Sequence, residues 1–279
     1  MPPVAPETPS EGLSVVLWEF NTDKIYYSSP SISPNGIIYI GSSGGLYAVN
    51  RNGSGNKVAS QHIWGTPSIA DDGSIYYGDE SHNITSWNSS GINSWSFRAR
   101  GQEVGGAGIH CSPAIGNNGL IYVGNAWPDG VVYALDRSGG KKWEFITGNE
   151  AQSSPAISIK NKIYIGSLSG NFFALDGETG KKEWSFKFGG YSSPAIGSNG
   201  TIYFIGAAYG LTNTRLYAID PDGSLKWEFP MGGYPGYASP AIGFDGTIYC
   251  GSRGGLYAVK PDGSLKWQFG GRFDLSSPA

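Results

Sequence analysis

Three carboxylates, Glu103, Asp129 and Glu150, lie in predicted loops whose length and composition vary along the chain. Two carboxylates held at a defined separation are the groups that hydrolyse glycosidic bonds. Spacing along the chain does not set that separation, so sugar hydrolysis stays an alternative without assigned catalytic residues.

Metal ligation was considered for histidines and for acidic turns. The three histidines lie too far apart for a zinc motif: His62, His82 and His110. The acidic segments 71–73 and 220–223 begin like calcium loops, but they are too short to supply ligands across about twelve residues. Both segments are typical of turns. The sequence therefore predicts no metal site.

Nucleophilic catalysis finds little support in the serines and cysteines. No Gly-x-Ser-x-Gly elbow occurs, and many serines recur at a fixed place in a repeat. Cys111 and Cys250 belong to copies of that repeat that would lie on opposite sides if the copies form a closed ring. Their Cα atoms would then be too far apart for a disulfide bond, so we predict two free thiols.

A repeat of about forty residues organises the chain. Each copy begins with a Ser-Pro-Ala-Ile-like phrase, continues through a glycine turn and reaches Ile-Tyr-x-Gly. The prolines at the heads of the copies are Pro30, Pro67, Pro113, Pro155, Pro194 and Pro240, and another head begins at Ser276.

One copy, residues 154–186, predicts four β-strands. The first two are 154–157 and 162–166, the third is 171–176, and the fourth is 182–186. Alternating apolar residues and β-branched or aromatic types indicate strands, and helical periodicity is absent.

Four short antiparallel strands per repeat, with an aromatic residue at a fixed place, predict an all-β fold of the β-propeller type. We assign seven tryptophans to fourth strands, where they would pack between blades: Trp18, Trp64, Trp95, Trp143, Trp184, Trp227 and Trp267. Recurrence with the repeat favours a structural role for them.

The chain resembles the quinoprotein, or PQQ-like, repeat family. Residues 239–269 carry the resemblance in order: Ser239-Pro240-Ala241-Ile242, Gly246 to Ser252, Leu256-Tyr257-Ala258-Val259 and Trp267-Gln268-Phe269. The family includes calcium- and quinone-dependent alcohol dehydrogenases and also non-catalytic propellers. The dehydrogenases carry an adjacent cysteine pair at the cofactor, and this chain has no Cys-Cys step. The resemblance therefore favours the non-catalytic members, with no cofactor predicted and with pyrroloquinoline quinone (PQQ) and calcium left to test.

Six blades are favoured, although residues 15–20 predict an extra fourth strand and residues 276–279 an extra first strand. Seven or eight blades, truncated here, are the alternative. We divide the chain into a proline-rich leader or linker, residues 1–13, and a single propeller domain, residues 14–279.

The two faces of the ring are predicted to differ. One face carries short, stereotyped turns, whereas the connections on the other face vary in length, and variable loops on a rigid scaffold often bind ligands. The candidate binding residues around the axial channel on that second face are Gln102, Glu103, His110, Trp127, Asp129, Asn149, Glu150, Tyr209, Arg215, Tyr234 and Tyr237.

We therefore predict a non-catalytic scaffold that binds a protein or another extended ligand at the variable loop face. Alternatives are a PQQ- or metal-dependent oxidoreductase and a carbohydrate-binding propeller whose loop aromatics hold a glycan. A net charge of −3 provides no basic surface for nucleic acid. No apolar run is long enough for membrane insertion, and the N-terminus lacks a signal-peptide pattern. We expect a periplasmic, cell-surface or secreted location.

Overall fold

The computed structural model describes residues 16–100, 108–126, 130–190, 192–207, 214–234 and 236–273. In this part of the chain every regular element is a β-strand, and the strands form six four-stranded antiparallel sheets. In every sheet the strands pair in the order in which they follow along the chain. The predicted β-propeller with six blades is confirmed, and the predicted leader lies outside the described residues.

The first three blades span residues 31–146. Blade 1 contains β1 (Ser31–Ile32), β2 (Ile38–Ser42), β3 (Gly45–Val49) and β4 (Gly55–Ala59). Blade 2 contains β5 (Ser68–Ile69), β6 (Ile75–Gly78), β7 (Asn83–Trp87) and β8 (Asn93–Arg98). Blade 3 contains β9 (Ala114–Ile115), β10 (Ile121–Gly124), β11 (Val131–Leu135) and β12 (Lys141–Ile146).

The remaining blades span residues 156–269. Blade 4 contains β13 (Ala156–Ile157), β14 (Lys162–Gly166), β15 (Asn171–Asp176) and β16 (Lys182–Lys187). Blade 5 contains β17 (Ala195–Ile196), β18 (Ile202–Gly206), β19 (Arg215–Ile219) and β20 (Leu225–Pro230). Blade 6 contains β21 (Ala241–Ile242), β22 (Ile248–Ser252), β23 (Gly255–Val259) and β24 (Leu265–Phe269).

A chain of hydrogen bonds joins neighbouring blades at their heads. The backbone N–H of one head residue donates to the side-chain hydroxyl of the next head, at 2.9 Å each time. The participating residues, in order, are Ser29, Thr66, Ser112, Ser154, Ser193 and Ser239. A short hydroxyl side chain at the head thus pairs a backbone donor that the sheets themselves leave unpaired.

Farther from the axis, the rings of Trp18 and of four fourth-strand tryptophans pack on turn glycines of the following blade. The indole Nε1 donates to a carbonyl of the same turn at 2.7–3.0 Å. The pairs are Trp18 with Gly53, Trp95 with Gly139, Trp143 with Gly180, Trp184 with Gly223 and Trp227 with Gly263. Gly180 has a φ of +69°, and a Cβ there would lie 2.6 Å from the Trp143 ring, so both conformation and contact require glycine.

Two of the seven tryptophans differ from the sequence prediction. Trp64 lies beyond the end of β4 and belongs to the axial cavity described below. Trp18 lies outside the strands, since residues 16–20 form none, yet its ring occupies the seat on blade 1 that a preceding fourth strand would fill. Asp23 holds this segment in place by accepting hydrogen bonds from Tyr47 Oη at 2.6 Å and Lys57 Nζ at 2.7 Å.

Blade 6 presents the outer face of its last strand to solvent. All five residues of β24 are exposed, and Trp267 retains 41% of its accessible surface. Trp143, which is seated on blade 4, retains 8%. The repeat therefore places chemically identical rings in environments that differ strongly in burial.

We expect Trp143→Ala to lower the free energy of unfolding by about 3–5 kcal/mol, because a buried indole and its hydrogen bond are lost. Trp267→Ala should cost less than half as much, since its ring is already largely hydrated. Urea denaturation of both variants and the parent protein measures the difference. Equal losses would contradict the inference that seating on the next blade is the source of the stabilisation.

Candidate binding site at the axial cavity

A cavity of about 510 Å³ lies where the six blade heads converge. The head hydroxyls that join the blades also line it, which places it on the axis of the propeller. Aromatic and polar side chains from the connections between blades complete the lining. These are Tyr26, Tyr27, Trp64, His110, Gln152 and Tyr237. The volume is that of a small-molecule or side-chain pocket.

Trp64 is the centre of the aromatic wall. Its ring stacks on Tyr26 with centroids 4.5 Å apart and on His62 at 4.9 Å. His110 lies on it at 4.7 Å. The wall continues through Tyr27, whose ring lies 5.5 Å from Trp64 and 4.8 Å from Tyr237. Contacts between connections of different blades thus build one continuous aromatic surface.

Three nitrogen atoms in this cluster are buried without a hydrogen-bond partner. They are His62 Nε2, Trp64 Nε1 and His110 Nε2. An indole N–H can only donate, so Trp64 calls for an oxygen or another acceptor. Buried polar atoms left unpaired are costly, and a ligand that supplies partners would remove that cost. These atoms make the wall a candidate binding surface.

The histidines of the wall differ in their surroundings. His62 forms a short ion-pair contact with Glu80 through Nδ1. Burial lowers the pKa of His110, although the charge of Glu80 and the amide of Gln152 act in the opposite direction. His110 is therefore held neutral by its burial, with an imidazole that can donate or accept.

The structure brings two of the sequence-predicted residues, His110 and Tyr237, into the cavity lining. Glu150 lies just behind it, accepting a hydrogen bond of 2.6 Å from Gln152, and burial raises the pKa of the Glu150 carboxyl. Gln102, Glu103, Trp127, Asp129 and Tyr209 fall outside the described residues.

The remaining candidates are engaged elsewhere. The Asn149 carbonyl accepts hydrogen bonds from Thr147 and Ser167, which shapes its own loop. Arg215 forms an ion pair with Glu228 at 2.9 Å. The guanidinium of Arg253 lies over the ring of Tyr234, 5.2 Å from its centroid. None of these three candidates is among the residues that line the axial cavity.

Sequence reasoning missed Tyr26, Tyr27, Trp64 and Gln152. Trp64 was expected on the fourth strand of blade 1, and that expectation is wrong because β4 ends at Ala59. A signal was present, since Asn56-Lys57-Val58 stands where the other blades carry Trp-x-Phe. Counting Trp64 as the repeat tryptophan concealed this gap.

Both cysteines are free and buried, as predicted. Burial raises the pKa of each thiol to about 12. Cys111 Sγ donates to the Gly124 carbonyl at 3.3 Å and accepts from the Gly124 N–H at 3.1 Å. Ser153 makes the corresponding pair of bonds to Gly166, so Cys111 acts as a structural substitute for serine.

Known proteins share the repeats and the fold of this chain. The family model described as "Outer membrane protein assembly factor BamB" (PQQ_2) matches residues 128–270, about half of the chain. The chain belongs to this PQQ-repeat family. The crystal structure of BamB from Moraxella catarrhalis superposes with a TM-score of 0.75 and 18% identity, covering 93% of this chain and 81% of that one.

Two curated relatives align over parts of the chain. Quinoprotein ethanol dehydrogenase of Pseudomonas putida is 31% identical over 166 residues, which cover 49% of this chain and 25% of that protein. Outer membrane protein assembly factor BamB of Burkholderia pseudomallei (strain K96243) is 27% identical over 86 residues, covering 31% of this chain and 21% of that protein. The chain thus spans a quarter or less of these relatives.

The family's quinone cofactor does not fit the residues that line the cavity. PQQ carries several carboxylates, and a calcium-assisted site also needs acidic ligands. The described lining contains no Lys, Arg, Asp or Glu. Across the described ranges, no group of three or more His, Cys, Asp or Glu side chains is arranged to hold a metal. We derive no redox step from this cavity.

Acidification should destabilise the protein through His110. Its pKa in the unfolded chain is near the ordinary 6.5 and is lower in the folded state, so the unfolded state binds more protons between these values. The free energy of unfolding should therefore fall as pH drops through 6.5 toward the folded pKa. Urea denaturation of the parent protein and of His110→Gln across this pH range tests the inference. The free energy of unfolding of the variant should depend less steeply on pH. An unchanged slope would contradict the inference.

Proposed function

We propose that this protein is a binding propeller that takes up an extended segment of another protein at the face surrounding the axial cavity. The segment inserts one side chain against Trp64, while its backbone carbonyls meet the donors of the wall. The observation that carries the proposal is the partly exposed aromatic surface with three buried, unpaired nitrogen atoms at its centre.

The chemistry of the lining favours a polypeptide over a charged small molecule. Stacked aromatic rings supply contact area at little conformational cost, as they do in hot spots of protein interfaces. Peptide carbonyls are acceptors of the kind that Trp64 Nε1 requires, and peptide N–H groups can donate to head hydroxyls or to a neutral imidazole. An uncharged lining also avoids the cost of desolvating an unpaired charge.

Similarity to BamB supports this reading. The names of those relatives connect them with the assembly of outer membrane proteins, which involves contact with other polypeptides. By the same similarity we propose an extracytoplasmic location for this chain. None of the described residues forms a helix with the length and apolarity needed to cross a membrane.

A quinone titration separates the binding function from the oxidoreductase alternative. We expect PQQ, added with and without calcium, to produce no saturable heat by calorimetry and no saturable quenching of tryptophan fluorescence. The physical reason is the lack of charged partners in the described lining. Stoichiometric binding at micromolar concentration, together with dye-linked alcohol oxidation, would overturn the assignment of a non-catalytic propeller.

The proposed function is tested with peptides selected from a phage-displayed random library on the immobilised protein. We expect Trp64→Ala to weaken the selected peptides by about tenfold or more, because the central ring of the wall is removed. Fluorescence anisotropy with labelled peptides measures the affinity. Trp64→Phe should retain part of the stacking but lose the Nε1 donor, and should therefore give an intermediate loss.

The matched control is Phe244→Ala. Phe244 is a fully exposed aromatic residue in the turn between β21 and β22, on the face with the short turns. This variant should bind the selected peptides as the parent protein does. Peptides that bind Trp64→Ala with unchanged affinity, or that respond to Phe244→Ala instead, would refute the assigned face.

A further inference from the structure

The contact between blades 1 and 2 lacks a packing element that five other contacts share. In those five, a phenylalanine packs edge-on against an aromatic ring on the third strand of the following blade, with centroids 5.3–5.8 Å apart. The pairs are Phe20 with Tyr47, Phe97 with Tyr133, Phe145 with Phe173, Phe186 with Tyr217 and Phe229 with Tyr257.

Between blades 1 and 2 both members of this pair are replaced. By sequence spacing from Asn56, Val58 stands where the other repeats have phenylalanine, and Thr85 stands in the tyrosine position. A register shift between Leu46 and Tyr47 leaves Ala59 rather than Val58 opposite Leu46. Two large rings are lost at one contact, and a cavity of about 410 Å³ lies there, with Val58 and Thr85 in its lining. This volume is typical of a small-molecule site rather than of a packing defect.

At the same contact no tryptophan packs on the turn glycine of blade 2. Asn56 pairs with Ala48 in the register where Trp143 pairs with Ala134, and Gly91 has no atom within 4 Å of a Cβ position. A second, smaller gap of about 150 Å³, lined by Tyr39 and Ser89, lies on the side of the short turns. The contact between blades 1 and 2 therefore has neither the phenylalanine pair nor the tryptophan packing of the other contacts. The two gaps that result are separate.

An aromatic wall and neutral polar groups line the larger cavity. Trp87 and Tyr77 form the wall, with ring centroids 6.3 Å apart and planes inclined at 69°. Trp87 is 9% exposed, and its buried Nε1 lies near the Tyr77 hydroxyl without a well-aligned hydrogen-bond partner. The amides of Gln61 and Asn93 and the hydroxyl of Ser96 face the same space as part of the lining.

The charged groups in the lining indicate which kind of ligand the cavity can bind. No Lys or Arg lines the cavity, and its one carboxylate is Asp79. Asp79 is buried and accepts hydrogen bonds from the backbone and side-chain nitrogens of Asn83, at 2.9–3.3 Å. Burial raises the pKa of Tyr77 to about 12, so its hydroxyl stays protonated. The site offers uncharged donors and acceptors beside an indole.

We propose that the cavity between blades 1 and 2 is a binding site for a neutral sugar residue. The apolar face of a pyranose ring packs against an aromatic side chain, while its hydroxyls pair with amides, hydroxyls and an indole N–H. A ligand hydroxyl accepts from Trp87 Nε1 and relieves the unpaired donor. The site shares no lining residue with the axial cavity, so it is independent of the proposed polypeptide binding.

The test restores the missing aromatic pair. Val58 and Thr85 both line the cavity, so the double variant Val58→Phe, Thr85→Tyr places two rings in it and fills it. D-glucose, N-acetyl-D-glucosamine and maltose are titrated into the full chain, with ligand-observed NMR and tryptophan fluorescence as readouts. We expect at least one of these sugars to bind the parent protein in the millimolar range or tighter, and the double variant to weaken it about tenfold or more.

Asn56→Trp is the matched control. It supplies the missing tryptophan of the same contact at a position that does not line the larger cavity, so that cavity stays open. Sugar affinity should then stay within about twofold of the parent value. Thermal unfolding verifies that all variants fold, and Trp87→Phe, which removes the Nε1 donor and keeps an aromatic ring, should weaken binding without filling the site.

Three results would overturn the proposal. The first is no binding of any of the three sugars to the parent protein. The second is sugar binding that survives the Val58→Phe, Thr85→Tyr substitutions or is lost equally in Asn56→Trp. The third is equal or tighter binding of gluconate, because an anionic ligand would contradict a site whose lining has one carboxylate and no cation. Selected peptides should bind the double variant as they bind the parent, which distinguishes this test from that of the axial site.

Discussion

The hydrogen bond from the backbone N–H of one blade head to the hydroxyl of the next is the interaction on which the rest of this structure depends. At the axis the first strands of neighbouring blades come together, and there is room only for short side chains. A head without a hydroxyl would leave a partly buried N–H without its protein partner, which costs about 0.5–1.5 kcal/mol for the lost hydrogen bond. The repetition of serine, with threonine at Thr66, satisfies each donor in turn and leaves a polar cavity at the centre.

The outer contacts between blades obey a second constraint, which is the fit of large rings. A tryptophan needs a glycine opposite it, and a phenylalanine needs an aromatic ring on the next third strand. These requirements are reciprocal, so a substitution on one blade leaves room on its neighbour. At blades 1 and 2 the two sides have changed together, with Asn56 opposite a vacant Gly91 and Val58 opposite Thr85. The change leaves open space where the other contacts are filled. The strands on both sides still pair, with the register shift of blade 1 moved to lie between Leu46 and Tyr47.

The two proposed binding surfaces are related to the repeat in different ways. In the axial cavity, five copies of the repeat contribute the residue two positions before the head hydroxyl: Tyr27, Trp64, His110, Gln152 and Tyr237. The cavity between blades 1 and 2 instead lies where Val58 and Thr85 replace the large aromatic residues of the other repeats. The repeat thus provides the frame, while the side chains present at one connection position and at one blade contact distinguish the proposed binding surfaces, in agreement with the general separation of fold from function.

The sequence by itself determined the strands, their antiparallel order and the number of complete blades, because each of these follows from local alternation, turn residues and a period of about forty residues. In blade 4 the predicted second and third strands agree with β14 and β15 residue for residue. It also identified His110 and Tyr237 as candidates on the variable face. Only the tertiary structure decided which side chains meet. Trp64, Tyr26 and Tyr237 belong to different connections, and their stacking depends on how the blades are arranged around the axis. The empty contact between blades 1 and 2 is likewise a property of two neighbouring repeats, which becomes visible when the register places Val58 and Thr85 on facing surfaces.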